Sequence, residues 1–502
     1  MRSFEADLAD PGHFVITLEL VPKAESGGRS VDTVKNLALA ARQDGRLSAV
    51  SITDNPGGNP SLSPDALGEE IMAMGMDVII HFTCRDLNRA GIQSRALQLE
   101  RMGMNNILAL TGDYSGKGFE GQSAPVFDLD SVNLLRLLTR MNQKAEQKNG
   151  KASFFCGCAI SPFKYSEAEC HAQYYKLLRK IRGGARYIVT QLGYDARKYQ
   201  ELMQVRKAFN LEHIPAMASI FLLTPKSARV MNSGRIPGTV VGDRLLQTIC
   251  AEWDDDKRRG YHAAVERAAR LAAIVKGLGY KGIHIGGVHR SFQTVARIMD
   301  RMEELAGEWR QFIGEFGPPA GNPYYAFQPV NTDGLSGDRR FHAPLPPQPF
   351  CRCHYIMMKT AHNAFFRADA LAAPLLRRLA QKIDDADALR RLLKAMERGA
   401  KKLLLDCRDC GDCAIQHVGF LCPESGCPKH MRNGACGGSR DGRCEVRPEK
   451  TCVWVRAYER LRGDGAENTL TEGIIPPRMW ELNETSSWLN FHLGRDHQAG
   501  KK

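Results

Sequence analysis

The sequence lacks the features that would place this chain in a membrane or a secretory pathway. No apolar run reaches the roughly 18 residues that a membrane-spanning helix needs. The opening stretch, MRSFEADLADPGHF, contains three acidic side chains and no apolar segment, unlike a signal peptide. We therefore expect a cytoplasmic protein with no membrane partner. In that compartment clustered cysteines more often hold metal than form disulfides.

The sequence also lacks aromatic residues interleaved with basic ones, the platform on which single-stranded nucleic acid stacks. It is nevertheless basic, with 69 Lys and Arg against 56 Asp and Glu and a formal net charge of +13. The cations are scattered, apart from local concentrations such as LRRLLKAMERGAKKLLL. We expect no nucleic-acid partner, and interpret the charge either as a solvated basic surface or as an attraction for an acidic small molecule.

Eight short apolar or β-branched runs alternate with amphipathic stretches in the first 290 or so residues of the 502-residue chain. The runs cover residues 14–21, 48–54, 77–84, 106–113, 152–161, 185–193, 214–223 and 281–288. Between them apolar residues recur at the helix period, as in VDTVKNLALAARQ. This alternation predicts an α/β fold, a (β/α)8 TIM barrel. The alternative, a doubly wound sheet, would want G-x-G-x-x-G after LELV, which is missing.

The composition changes after residue 310. Residues 311–350 are rich in Pro, Gly and Asn and have no clear period, which predicts a linker or an extended arm. We therefore expect a barrel domain over residues 1–310. A mostly helical, cysteine-rich metal-binding domain is expected over residues 351–490.

Eight of the fifteen cysteines lie in one short segment. They are Cys407, Cys410, Cys413, Cys422, Cys427, Cys436, Cys444 and Cys452. The first three form C-x2-C-x2-C, the spacing of ferredoxin cluster loops. Eight thiolates suffice for two four-cysteine sites, so two [4Fe–4S] clusters, one cluster with one zinc, and zinc in both sites all fit. Cys351 and Cys353 would add a ligand or merely line the helical segment.

Polar side chains lie near the carboxyl ends of the predicted strands, where barrel proteins build their active sites. They are Glu19, Thr53, Asp54, His81, Thr83, Asp113, Gln191 and His284. A carboxylate in a strand as apolar as that of Glu19 is unfavourable unless a partner or a ligand needs it. We predict that this rim is the active site.

Six motifs, in order along the chain, resemble the strand motifs of methylenetetrahydrofolate reductase. They are LELVP, VSITDNPGG, IHFTCRD, ILALTGDY, RKIRGGARYIVTQLGYD and IPAMASI. Further on, CRDCGDC, LCPESGCPK, NGACGGSRDGRCEV and CVWVRAYERL resemble the cysteine-rich domain that partners this reductase in acetogens and other anaerobes, here fused to the barrel. The resemblance implies a flavoprotein that reduces 5,10-methylenetetrahydrofolate to 5-methyltetrahydrofolate.

The resemblance also implies roles for individual residues. Glu19 would protonate the folate, Asp113 would lie between flavin and pterin as a second catalytic group, and Gln191 would contact folate. The flavin-binding positions that it implies are Thr53, His81, Gly112, Asp113 and Lys180.

Two departures from the family pattern leave the cofactor and the electron donor open. The usual R-G-D is Thr111-Gly112-Asp113 here, so both FAD and FMN fit. Asp54 replaces a Tyr that is common in NADH-dependent members. We expect electrons to reach the flavin through iron–sulfur clusters, from a redox partner protein or a ferredoxin-like donor. The alternative is direct use of NADH, with a zinc-binding docking module. A homo-oligomer is expected.

Overall fold

The computed structural model describes residues 3–148, 153–319, 321–329, 335–340, 352–367, 369–370 and 372–499. They form two compact units. The first comprises Met1–Ala343 with Gly437–Asp441, and the second comprises Pro344–Cys436 with Gly442–Lys502. The predicted boundaries at residues 310 and 350 remain predictions, because much of the predicted linker lies outside the described residues.

The described residues contain twelve strands. These are β1 Val15–Leu20, β2 Ala49–Ile52, β3 Val78–Thr83, β4 Asn106–Leu110, β5 Lys117–Gly118, β6 Gly121–Gln122, β7 Phe155–Ile160, β8 Tyr187–Thr190, β9 Ala216–Phe221, β10 Gly282–Gly286, β11 Phe327–Pro329 and β12 Ser336–Arg340. Eight of them close into a parallel barrel in the order β1-β10-β9-β8-β7-β4-β3-β2, while β5–β6 and β11–β12 form separate two-stranded sheets. The predicted TIM barrel is therefore confirmed, with one barrel strand inside each predicted run.

Helices surround the barrel and make up most of the regular structure in the second unit. The first unit has α1 Phe4–Ala9, α2 Arg29–Asp44, α3 Pro64–Ala73, α4 Arg89–Arg101, α5 Ser131–Gln147, α6 Glu167–Arg182, α7 Ala196–Ala208, α8 Pro225–Asn232, α9 Asp243–Asp255, α10 Lys257–Gly277 and α11 Phe292–Leu305. The second unit has α12 Arg352–Phe365, α13 Ala373–Asp385, α14 Asp387–Leu405, α15 Pro423–Gly426, α16 Val453–Arg462 and α17 Ser487–His492. The predicted helical, cysteine-rich C-terminal region is thus confirmed. No helix in the described ranges is both long enough and apolar enough to cross a bilayer.

Several barrel helices begin where the sequence supplies a polar cap. The Asn88 side chain accepts a hydrogen bond from the Gly91 amide at the start of α4, and Asp130 accepts one from the Asn133 amide at the start of α5. Such caps satisfy amides that the first turn of a helix cannot. Each cap fixes the residue at which its helix begins, and thereby where the loop from the preceding barrel strand ends.

The barrel interior changes from apolar to polar along its axis. The floor is a buried cluster of Phe4, Val15, Ala49, Ile79, Leu108, Phe155, Tyr187, Val189 and Met217. Phe4 of α1 closes this end, with its ring 5.2 Å from that of Tyr187. Alternate residues of a strand point the same way. Val15 is therefore followed, two and four positions on, by the inward-facing Thr17 and Glu19.

The floor is closely packed around Gly157 in β7. A Cβ atom built on Gly157 would lie 2.2 Å from the Tyr187 ring, closer than any side chain tolerates. The Tyr187 hydroxyl in turn donates a hydrogen bond to the Ile107 carbonyl, at 3.1 Å. Gly157 thus provides the space that lets this ring fill the floor.

We expect Gly157→Ala to destabilise the barrel by about 1–3 kcal/mol, because overpacking displaces the Tyr187 ring. The measurement is urea denaturation followed by tryptophan fluorescence. Gly27→Ala is the matched control, since a Cβ there meets no atom within 4 Å. Equal unfolding midpoints for the two variants would contradict the packing argument.

Candidate active site and cysteine centres

The predicted rim residues lie at one end of the barrel. All eight barrel strands are parallel, so their carboxyl ends meet at the same mouth. Glu19 is the penultimate residue of β1, Thr83 ends β3, and Thr53 and Gln191 directly follow β2 and β8. Asp113 lies in the loop after β4. Closure of the barrel therefore gathers residues that are far apart in sequence.

Glu19 is a partly buried acid, and none of the described residues pairs with its carboxyl group. Burial raises its pKa from 4.5 to about 7. Within the described part of the chain, no hydrogen bond or ion pair of its carboxyl group is observed. A Cβ built on Gly286, across the mouth in β10, would lie 3.1 Å from Glu19 Oε2, so a glycine there leaves room for the carboxyl. A carboxylic acid in this environment keeps its proton close to neutral pH.

Two neutral histidines lie below Glu19. His284 Nδ1 is 2.8 Å from Thr17 Oγ1, and burial lowers the pKa of His284 to about 3. Burial also lowers the pKa of His81 to about 4. His81 Nε2 is buried and has no hydrogen-bond partner among the described residues. Because a buried polar atom normally has a partner, this nitrogen is a natural contact point for a bound ring.

Asp113 ties together the loops after β2 and β4. Its Oδ2 accepts a hydrogen bond from the Gly57 amide at 3.0 Å. The preceding Gly112 has φ +92°, and a Cβ there would lie 3.2 Å from the Thr83 side chain. Glycine is favoured at Gly112 both by its φ and by the close approach of this neighbour.

Asp54 is held by other side chains. Its Oδ2 accepts hydrogen bonds from Thr83 Oγ1 at 2.9 Å and from Arg95 Nη1 at 2.7 Å. Arg95 also binds Asp65, with Nη2–Oδ1 2.6 Å apart. The side chain of Asp54 therefore has a structural role in this network.

Gln191 and Lys180 are both engaged with the backbone. Gln191 Oε1 accepts a hydrogen bond from the Leu192 amide at 2.9 Å, and its Nε2 lies 3.4 Å from the Pro237 carbonyl oxygen. Lys180 Nζ donates to the carbonyl of Ala159, in β7, at 2.6 Å. The folate-binding role of Gln191 and the flavin-binding role of Lys180 remain predictions.

One short piece of the cysteine-rich sequence, Gly437–Asp441, belongs to the same compact unit as the barrel. The buried Lys164 side chain donates a hydrogen bond to the Ser439 carbonyl, and Arg440 Nη1 donates to the Asn232 carbonyl at 3.0 Å. A Cβ on Gly238 would lie 2.9 Å from the Gly437 carbonyl oxygen and 3.4 Å from Gln191 Nε2. This piece of chain therefore lies beside Gln191.

Sequence reasoning missed two residues of the mouth. Phe221, the last residue of β9, packs against Gly286 and Gly287, where added Cβ atoms would approach its ring to 3.3 and 2.8 Å. The Gly-Gly pair in IHIGGV was the sequence feature that could have indicated a large side chain packed against this strand end. The other is Lys164, whose burial could not be foreseen in ISPFKYSEAE because its acceptor, Ser439, comes from a distant part of the chain.

The eight clustered cysteines, all in the second unit, fall into two groups of four. Burial raises the pKa of Cys410 to about 12, with Cys413 and Cys422 as electrostatic neighbours. Burial likewise raises the pKa of Cys422, which also neighbours Cys407, to about 11. These four thiols, hereafter the first thiol group, line one small, partly open cavity.

The remaining four cysteines form the second thiol group. Burial raises the pKa of Cys427 to about 12, and the neighbouring Cys436 and Cys444 add to the shift. Burial also raises the pKa of Cys452, with Cys436 and Cys427 as its neighbours. Cys452 is the N-cap residue of α16, where amide hydrogens stabilise a thiolate.

A buried charge network supports the loop of the first thiol group. Asp412, within C-x2-C-x2-C, accepts hydrogen bonds from Arg432 Nη1 at 2.8 Å and from His497. Burial alone would lower the pKa of Lys401, but the Cys413 thiol and the Glu397 carboxylate outweigh it and keep it above its ordinary value. The first thiol group therefore has a buried cation beside it.

Among the described residues, no three His, Cys, Asp or Glu side chains are arranged to hold a single metal ion. Cys353 is exposed on α12, and Cys351 lies outside the described residues.

A parallel eight-stranded barrel with a polar mouth above an apolar floor is the architecture of the (β/α)8 proteins. A family model described as methylenetetrahydrofolate reductase matches residues 5–303. A second model, described as the C terminal of methylene-tetrahydrofolate reductase, matches residues 387–481. The chain belongs to the methylenetetrahydrofolate reductase family, which confirms the resemblance drawn from its motifs.

Curated relatives show the same likeness. A probable methylenetetrahydrofolate reductase (NADPH) of Caenorhabditis elegans is 25% identical over 201 residues, covering 39% of this chain and 28% of that protein. Methylenetetrahydrofolate reductase 1 of Schizosaccharomyces pombe is 26% identical over 259 residues, covering 50% of this chain and 40% of that protein. The chain thus spans less than half the length of these relatives.

Among solved structures, an uncharacterized protein from Clostridium thermocellum that binds two copies of 5-methyl-5,6,7,8-tetrahydrofolic acid aligns with a TM-score of 0.40. The identity is 12%, and the alignment covers 61% of this chain and 99% of that protein. At that TM-score the ligand is not transferred to this chain.

Replacing Glu19 by Gln should change the stability of the barrel in a pH-dependent way. The folded state raises the pKa of Glu19 from 4.5 to about 7, so wild-type stability falls as the pH rises through that interval and stays reduced above it. At high pH we expect the free energy of unfolding of Glu19→Gln to exceed that of wild type by about 2 kcal/mol, a value reduced for the partial solvent contact of the side chain. Below the pKa of Glu19 in the unfolded chain, the two proteins should be equally stable.

The measurement is urea denaturation of both proteins at pH values above and below this interval. Glu69→Gln, at an exposed position of α3, is the control and should show no such difference. A stability difference between Glu19→Gln and wild type that does not vary with pH would contradict the assignment of the shift to Glu19.

Proposed function

We propose that this protein reduces 5,10-methylenetetrahydrofolate to 5-methyltetrahydrofolate at a flavin in the barrel mouth, with electrons delivered through iron–sulfur clusters in the second unit. Membership of the family supports the reaction. The observation that carries the proposal is the raised pKa of Glu19 at the carboxyl ends of the strands. A general acid works best when its pKa lies near the working pH, and the pKa of Glu19 meets that condition near neutral pH.

Glu19 is the proton donor in this proposal. Opening the five-membered ring of the substrate needs a proton on a weakly basic nitrogen. With a pKa of about 7, Glu19 is protonated in a large share of molecules at neutral pH and can still release its proton. Its carboxyl group makes no internal bond among the described residues, so it is free to bond the substrate.

The barrel mouth fits a flavin. When bound, the flavin supplies the hydride. His81 would contact the ring through its unpartnered Nε2, and Thr53 and Gly112 would border it at the neighbouring strand ends. His81 is neutral, so it has one donor and one acceptor nitrogen for the polar edge of the ring.

Asp113 and Gln191 would orient the pterin. Each has one side-chain oxygen held by a backbone amide, which restricts its rotation. The second carboxylate oxygen of Asp113 could accept hydrogen bonds from the donor groups of a pterin. Side chains fixed in advance lose less entropy when the substrate binds.

The two thiol groups fit iron–sulfur clusters. Each has four cysteines, the number that a [4Fe–4S] cluster takes. The four thiols of the first thiol group border one small cavity. Among the described residues, no three His, Cys, Asp or Glu side chains converge on one point, as a single zinc ion with sulfurs at about 2.3 Å would require. The cation of Lys401 would offset the negative charge that four thiolates bring.

The second thiol group is covalently continuous with the barrel unit. Cys436 of the second thiol group is joined by a peptide bond to Gly437, the first residue of the segment that belongs to the barrel unit. Lys164 holds that segment through the Ser439 carbonyl.

Glu19→Gln should lower the turnover number about a hundredfold or more, because it removes the proton donor and leaves the flavin contacts in place. The assay is anaerobic reduction of methylenetetrahydrofolate by reduced methyl viologen, with flavin content measured in the same preparation. Glu69→Gln should retain wild-type turnover. Full activity of Glu19→Gln would contradict the role. Turnover with NADH in a zinc-containing protein would favour the alternative donor.

Cys410→Ser should remove about half of the iron, because it breaks one four-thiolate site and spares the other. Iron, zinc and acid-labile sulfide are measured in protein purified anaerobically. Cys250→Ser in α9, outside both thiol groups, is the control and should retain all of the iron. Zinc in place of iron in the wild type, or an unchanged iron content in Cys410→Ser, would contradict the cluster assignment.

A further inference from the structure

The segment Gly437–Asp441 comes from the cysteine-rich part of the sequence but lies against the carboxyl ends of two barrel strands. Ser161 directly follows β7, and Gln191 directly follows β8. A Cβ atom built on Gly437 would lie 3.7 Å from the Ser161 side chain. The space beside Gly238 is bordered both by the Gly437 carbonyl oxygen and by Gln191 Nε2. The segment therefore forms part of the rim of the mouth at β7 and β8.

Two hydrogen bonds anchor the segment within the barrel unit. Lys164 donates one to the Ser439 carbonyl. Arg440 Nη1 donates the other, at 3.0 Å, to the carbonyl of Asn232 at the end of α8. Lys164 is 3% exposed and Ser439 is 4% exposed. The first anchor is therefore a charge-assisted hydrogen bond that is shielded from water.

Lys164 is a buried cation that is itself held in place. Among the described residues, the Ser439 carbonyl is the one acceptor observed for its ammonium group, and no carboxylate lies within ion-pair distance. The Lys164 carbonyl accepts a hydrogen bond from the Cys170 thiol at 2.9 Å. The preceding Phe163 ring packs where a Cβ on Gly193 would approach it to 2.3 Å. Because burying an ammonium group is unfavourable unless it is bound, a role in holding the segment explains this lysine.

We propose that the Gly437–Asp441 segment is a wall of the folate pocket on the Gln191 side of the mouth, and that Lys164 is the positioning residue that holds this wall. The proposal rests on the proposed function and adds a part of the chain that determines folate affinity. Lys164 acts through the Ser439 carbonyl and does not itself touch the folate. The cysteine-rich sequence thereby contributes to substrate binding, in addition to the role in electron supply proposed above.

Displacing this wall affects substrate binding more than the chemical step. Strand β1, which carries the proton donor Glu19, lies opposite β7 in the barrel. The flavin-binding positions Thr53 and His81 lie at β2 and β3, on either side of neither β7 nor β8. A contact made equally with the substrate and the transition state changes KM and leaves kcat unchanged. We therefore expect loss of the anchor to weaken folate binding selectively.

The test is Lys164→Met in the full-length holoenzyme, which keeps an unbranched side chain and removes the ammonium group. We expect the KM for methylenetetrahydrofolate, with reduced methyl viologen as donor, to rise about tenfold or more, while kcat changes less than about threefold. The dissociation constant of 5-methyltetrahydrofolate, measured by anaerobic equilibrium dialysis against the reduced holoenzyme, should rise by a similar factor. Flavin and iron contents should equal those of wild type.

Gly238→Ala tests the same wall from the barrel side. The added Cβ would lie 2.9 Å from the Gly437 carbonyl oxygen and push the segment outwards, whereas its 3.4 Å distance from Gln191 Nε2 is an ordinary contact. We expect the dissociation constant of 5-methyltetrahydrofolate to rise about threefold or more. Gly45→Ala is the matched control, because its φ of +80° is close to the +76° of Gly238 and its Cβ meets no atom within 4 Å. It should bind 5-methyltetrahydrofolate like the wild type.

Lys281→Met is the matched control for Lys164→Met. The Lys281 ammonium group also donates to backbone carbonyls, those of Asp10 and His13, but this residue directly precedes β10 at the other end of the barrel. It should lower stability in urea without changing folate affinity. An unchanged dissociation constant in Lys164→Met would overturn the proposal, and so would an equal rise in Lys281→Met or a fall in kcat at constant KM.

Gly238→Ala decides the question if Lys164→Met does not fold, and wild-type folate binding by Gly238→Ala would then overturn the proposal. Because the dialysis measures binding without turnover, the two proposals can fail separately. A wild type that binds 5-methyltetrahydrofolate more tightly than Lys164→Met, but reduces no methylenetetrahydrofolate with any donor, would refute the proposed function alone.

Discussion

Closure of the eight parallel strands into one barrel is the constraint on which the site depends. Alternate side chains of each strand must point into a shared interior, and that interior has an apolar end and a polar end. The floor around Phe4 and Tyr187 excludes water from below. Glu19 therefore sits in a mouth where its charged form is poorly solvated, which is the physical origin of its raised pKa. Without closure the same carboxyl group would lie on an open sheet and titrate as an ordinary glutamate.

The second unit gathers eight thiols on turns and short helices. Turn residues and short helices position the cysteines, and buried ion pairs hold the turns. Asp412 with Arg432 fixes the loop of the first thiol group, and Lys429 with Glu445 lies within the sequence of the second. Removing one partner of such a buried ion pair leaves an uncompensated charge and strongly destabilises the fold. The pairs therefore favour one arrangement of the loops. A bound cluster would add its own crosslinks to that arrangement.

The two units also differ in the side chains that their helices expose to solvent. In the barrel unit long helices such as α10 and α11 bury an apolar face against the strands and show polar residues to water. In the second unit the fully buried residues of α14 are Glu397 and Lys401, while its Leu389, Leu392 and Leu403 are exposed. A helix with a strong apolar periodicity and few buried residues has a face that its own fold does not cover.

The sequence by itself determined the barrel, because alternating apolar runs and helical periods leave few other ways to bury so many strands. It also determined the number of clustered thiols and the rim residues, since parallel strands bring their carboxyl ends together whatever their order. Only the tertiary structure decided how the eight cysteines divide into two groups, because spacing along the chain does not say which loops meet. It likewise decided that Glu19 has no partner among the described residues, that Asp54 is engaged by Arg95, and that Lys164 contacts Ser439. Each of these depends on contacts between residues far apart in sequence, about which local periodicity carries no information.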